Sequence, residues 1–125
     1  MRRFIKRACV CEAVVAALIL GLSSVAQAAS DAAAAKENYT ELCAKCHGEH
    51  GKGDGLAAAT LTTKPADYTD CALMKTSSDK DLFAVIHDGG PARHLSKDMA
   101  PWGDVLEEKE ILDLIAYIRS FCQKP

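Results

Sequence analysis

The apolar positions of this chain recur at helical intervals, and no segment shows the strict alternation of a strand. Near the C-terminus Ile111, Leu114, Ile115, Ile118 and Cys122 make one stripe of a helix running from about Glu107 to Phe121. Its acidic start (Glu107, Glu108 and Glu110) suits the positive end of a helix dipole. A second helix is predicted through Leu82, Phe83, Val85 and Ile86. Ser78-Asp79-Lys80-Asp81 opens it as a capping box with Asp in place of Glu, and Gly89-Gly90 ends it. A third spans Asp31 to about Cys46, where Tyr39, Leu42, Cys43 and Cys46 share helical spacing after an alanine run. Between these lie a glycine loop from Gly48 to Gly55, a short helical turn over Leu56 to Leu61, and an irregular Lys64 to Thr69 around Pro65. A long loop follows from Pro91 to Val105. The pattern predicts an all-α fold.

One apolar run is not amphipathic. Ala13 to Leu22 is uninterrupted, follows the basic residues Arg2, Arg3, Lys6 and Arg7, and precedes the small-residue site Ala26-Gln27-Ala28. This is the layout of a secretory signal peptide, residues 1–28, cleaved after Ala28. The run is short for a membrane span, which needs about 20 residues. Residues 29–125 are then a single domain in an exported, periplasmic protein with no stable membrane insertion. Cys9 and Cys11 leave with the peptide.

Composition sharpens this reading. The whole chain of 125 residues carries a net charge of −2 from 15 basic and 17 acidic residues. Four of the basic residues and Glu12 lie in the leader, so 11 and 16 remain and the mature charge is about −5. An acidic domain of this size is not a general nucleic-acid binder. Aromatics are only 6% of the chain, and much of its hydrophobic content is alanine. Such a chain has a thin core and needs a cofactor, a metal or a disulfide to stabilise it.

Cys43-Ala44-Lys45-Cys46-His47 supplies a candidate. C-x-x-C-H is the attachment signature of a c-type haem. On a helical turn positions i, i+3 and i+4 share a face. Two thiols at that spacing can bond the two vinyl groups of one haem edge, and the next imidazole can reach the iron as proximal ligand. Two other chemistries use the same residues. A thioredoxin-like dithiol expects a βαβ setting that is not visible here. A zinc site would need Cys71 and Cys122, which lack paired spacing.

The mature chain resembles a small bacterial class I monohaem cytochrome c. The segments that carry the resemblance are YTELCAKCHGEHGKGDG (39–55), KPADYTD (64–70), DMAPWG (98–103) and ILDLIAYIRSF (111–121). The resemblance implies three to five helices around one covalent haem c. It also implies a methionine, Met99, as the distal iron ligand. The residues support that choice. Met99 is an apolar side chain in a polar loop, whereas Met74 sits in an apolar patch suited to packing. His94 is the rival ligand. His50 reads as solvated and His87 as an ordinary helix residue.

The resemblance further implies that Tyr39 and Tyr117 meet where the first and last helices cross, with Ala35 or its neighbours at a place where the family often has glycine. It implies that the Pro65 carbonyl accepts a hydrogen bond from the proximal imidazole, and that Trp102 lies near the haem edge. Cys71 and Cys122 are left over and are expected to form a disulfide.

The implied function is single-electron transfer by a monomer between other redox proteins, with no catalytic residues and no enzymatic activity of its own. The alternatives are a haem-based sensor of a small ligand and an electron-entry subunit of a periplasmic oxidoreductase. A peroxidase is disfavoured, because only the loosely placed Arg93 and His94 could supply a distal pair.

Overall fold

The computed structural model describes residues 31–123, so the expected leader lies outside the described residues. Residues 32–123 form one compact unit. All regular structure among the described residues is helical. The first helical run, α1, is α-helical over 31–38, widens to a π-helical stretch at Tyr39–Cys43, and closes with the α-helical turn Ala44–His47. Two helices follow the glycine loop: α2 (Cys71–Thr76) and α3 (Asp79–Asp88). The last, α4, spans Glu108–Gln123. Short 3₁₀ turns occur at Ala58–Thr60 and Gly90–Arg93.

The boundaries follow from local chemistry. Asp70 caps α2, its Oδ1 accepting from the backbone N–H groups of Ala72 (2.9 Å) and Leu73 (3.2 Å). This helix lies where the sequence pattern gave no element, because six residues are too few to show a period. Ser78 caps α3 by accepting from Asp81 N–H at 3.1 Å, and its own hydroxyl donates to Asp81 Oδ2 at 2.8 Å. Helix α3 ends at Gly89, whose φ of 85° favours glycine.

Helix α4 is the centre of the packing. Ile111, Leu114, Ile115, Ile118 and Phe121 are all buried along it. Tyr39 of α1 is fully buried against its far end, with ring centroids 5.3 Å from Tyr117 and 5.2 Å from Phe121. Ala35 is also buried. The other flank of α4 is tied by Arg119. Its guanidinium donates to the carbonyls of Met74 and Ser77, each at 2.7 Å, and to Asp79 Oδ1 at 2.7 Å. One side chain thus binds the end of α2 and the start of α3 to α4. Cys71 and Cys122 form a disulfide between α2 and α4 across 51 residues of chain.

Two outcomes test this scaffold. Ser78→Ala is expected to cost about 1 kcal/mol in chemical denaturation at neutral pH. The Ser78 hydrogen bond holds the Asp81 carboxyl below its usual range, so that contribution is present at neutral pH and lost as pH falls through the acid range. The gap between wild type and variant should therefore narrow in acid. Replacing Cys71 and Cys122 together by alanine is expected to cost about 4 kcal/mol, the chain-entropy value for a closed loop of that length, as read from the shift in denaturation midpoint.

Candidate haem site

The helical turn at the end of α1 puts Cys43, Cys46 and His47 along one wall of a cavity of about 530 Å³. That volume is in the range of cofactor sites, about 300–1,000 Å³. Met99 and Trp102 line the same cavity from the loop before α4, and Pro65 and Tyr68 line it from the segment before α2. Met74 lines it as well, but is buried in the core cluster, as its packing role requires. His94 is exposed and not among the lining residues. His50 is exposed too, and His87 stacks on Phe83 and pairs with Asp88 at 2.7 Å.

The cysteine wall is held from behind. Tyr39 Oη donates to the Gly48 carbonyl at 2.7 Å, closing the end of α1 immediately after His47. The loop then doubles back, with Gly53 N–H donating to His47 O at 2.8 Å and Gly55 N–H to Cys46 O at 3.2 Å. Gly53 has a φ of +68°, and a Cβ there would collide with the Pro65 carbonyl, so only glycine lets the two strands of chain touch.

That contact corrects one expectation. The bond to the imidazole comes from Ala66 and not from Pro65: His47 Nδ1 lies 3.3 Å from Ala66 O. The Pro65 carbonyl is turned against Gly53, and Tyr68 N–H donates to Gly51 O at 2.6 Å. These two contacts set the register so that the next carbonyl, that of Ala66, faces the ring.

A carbonyl can only accept, so Nδ1 carries the imidazole proton and Nε2 presents a lone pair. Burial of His47 holds its pKa below the usual histidine value, against the opposing pull of the Ala66 bond. The ring is therefore a neutral base, the form that ligates a metal. Tyr68 Oη lies 3.3 Å from Nε2, and the two rings stack with centroids 4.7 Å apart. Burial pushes the Tyr68 hydroxyl far above its ordinary pKa, so it stays a neutral phenol. Burial, helped by nearby Cys46, likewise pushes the Cys43 thiol up to about 11. Sequence reasoning missed Ala66 and Tyr68, although both lie in the KPADYTD segment it had singled out.

The loop bearing Met99 is anchored on α3. Trp102 N–H donates to Ile86 O at 2.9 Å and Gly103 N–H to His87 O at 3.0 Å, while within the loop Gly90 N–H donates to Met99 O at 2.9 Å. Arg93 forms an ion pair with Asp81 beside the cavity. Two thiols, a neutral imidazole and a thioether around one cavity are a donor set that fits a covalent haem. A domain whose described residues are all helical or loop, with this wall and this cavity, has the architecture of a c-type cytochrome.

The comparisons with known proteins agree. Residues 30–118 match the family described as cytochrome c oxidase, cbb3-type, subunit III. The chain is 37% identical over 92 residues to cytochrome c-554(547) of Halothiobacillus neapolitanus, covering 72% of this chain and 96% of that protein. Its fold is similar to that of the solved KustC0563 c-type cytochrome, with a TM-score of 0.56 and 24% identity over 69% of this chain and 94% of the other. The chain belongs to the cytochrome c family, as a small class I monohaem member, and carries one covalently bound haem c.

Attachment chemistry gives a direct check. Cys43→Ala or Cys46→Ala alone is expected to leave one thioether, seen as a shifted α band in the pyridine haemochrome spectrum. The double variant should lose covalent haem altogether, so that acidified organic solvent extracts it and the polypeptide mass falls by one haem.

Proposed function

We propose that this cytochrome is an exported, periplasmic single-electron carrier whose iron is held by His47 and Met99. The observation that carries this reading is that Cys43, Cys46 and His47 on α1 share one cavity with Met99 on the loop before α4. When bound, the haem supplies an iron that cycles between Fe(III) and Fe(II). The residues around it do the rest. Ala66 O holds the Nδ1 proton, so Nε2 carries the lone pair that would ligate the iron. A Met thioether favours the reduced state and raises the potential. The Met99 backbone, tied to Gly90 and to Ser96, restrains that side chain near the cavity. With His47 and Met99 both holding the iron, no acid, base or nucleophile would have to be assigned, and the protein would be a carrier rather than an enzyme.

Residues 1–28 would direct export, the haem domain being 29–125. No helix among the described residues is long and apolar enough to cross a membrane. Partners would be other redox proteins meeting a monomer weakly around the haem edge. The acidic mature charge should draw basic partners faster at low salt. A second reading, an electron-entry subunit of a larger oxidoreductase, is favoured by the family description, which names an oxidase subunit. Co-purification with a larger complex would separate the two.

Visible spectra of the matured protein with and without carbon monoxide test the ligand set. The expected result is a low-spin c-type spectrum unaffected by the gas, with a thioether–iron charge-transfer band when oxidised. Met99→Ala should abolish that band, lower the potential and admit carbon monoxide. A wild-type protein that binds the gas readily would instead favour a ligand sensor.

A further inference from the structure

Tyr68 is demanded neither by the attachment motif nor by a methionine ligand, yet both its ring and its hydroxyl lie against His47. It is buried, and its ring lies nearly flat on the imidazole, with the planes 14° from parallel. Its hydroxyl stands 3.3 Å from Nε2, while Ala66 O stands 3.3 Å from Nδ1. Both contacts come from one short stretch of chain. That stretch is shaped by Asp67 Oδ1, which accepts from Thr69 N–H at 2.9 Å and from Thr69 Oγ1 at 2.6 Å. It is pinned by the Tyr68 N–H bond to Gly51 O.

The second side-chain torsion of histidine is broad, so a ring held by one hydrogen bond can still rock about its Cβ–Cγ bond. A flat neighbour on the ring face removes that freedom. We propose that Tyr68 is a positioning residue for the proximal ligand: its stacked ring fixes the plane in which the His47 imidazole meets the iron. This rests on the reading of His47 as the proximal ligand. The orientation of that plane governs how unpaired spin spreads over the haem edge in the oxidised state. A residue that merely filled space would change stability and leave that spread alone. Groups that orient a metal's ligand act on the metal in this indirect way.

The test uses the haem-loaded protein. In the reduced, diamagnetic state, proton NMR should show cross-relaxation between the Tyr68 and His47 ring protons; its absence would overturn the proposal without any variant. In the oxidised state, the pattern of haem-methyl shifts reports the imidazole plane. Tyr68→Leu, which removes the flat ring, is expected to alter that pattern while the thioether–iron band persists. Tyr68→Phe, which keeps the ring, should retain the wild-type pattern; a changed pattern there would overturn the assignment of the positioning to the stacked ring. A folded Tyr68→Leu protein with unchanged methyl shifts would overturn the proposal. Failure of the underlying ligand reading is recognised separately, as loss of the low-spin His/Met spectrum in the unaltered protein.

Discussion

The crossing of the first and last helices is the contact on which the rest of this molecule depends. Tyr39 is fully buried there between Tyr117 and Phe121, and its hydroxyl reaches the Gly48 carbonyl at 2.7 Å. One side chain therefore packs α1 against α4 and caps the end of α1 immediately beyond His47. Burial of a ring this large contributes strongly to stability, and its polar end is satisfied within the fold. The attachment residues Cys43, Cys46 and His47 follow within two helical turns, so their placement is inherited from that crossing. The π-helical stretch Tyr39–Cys43 runs from the crossing residue to the first attachment cysteine. Such bulges are often found at functional sites, where they change the angular offset between residues before and after them.

The remaining walls are held by links between elements that are short on their own. Helix α2 has six residues and would not persist alone. The Asp70 cap, the three bonds of Arg119 and the disulfide to Cys122 give it a fixed place. The loop from Gly89 to Gly103 has little regular structure, yet it is sewn to α3 at Trp102 and Gly103 and closed on itself between Gly90 and Met99. Met99 is thus restrained by backbone bonds on both sides of it rather than by a helix. A small chain with few aromatics builds a cofactor site this way: the cofactor fills the centre, and capped helices and a disulfide hold the rim.

Around His47 the electrostatics are arranged for ligation. The Nδ1 proton is held by a backbone carbonyl, the ring is buried and neutral, and Nε2 keeps its lone pair. Backbone acceptors are well suited to this because they neither titrate nor change rotamer. The arrangement requires the chain to return beside the ring some twenty residues later, which the glycine loop permits. Gly53 matters most in that return, since its positive φ and lack of a side chain let the Pro65 carbonyl pack directly against it.

Much of this was legible in the sequence because it obeys local rules. The C-x-x-C-H spacing places its residues on one helical face whatever surrounds them. The stripe from Ile111 to Ile118, the Ser78 cap and the Gly89 stop depend only on helical period and backbone geometry. The class of cofactor and the all-α fold follow from these alone. Tertiary structure decided the contacts between segments distant in sequence. It turned the Ala66 carbonyl rather than that of Pro65 to the imidazole, laid Tyr68 on its face, and used Arg119 to join three helices. None of these has a spacing rule. Each depends on how far a loop travels before it meets another, and a shift of one residue in that path changes which carbonyl arrives.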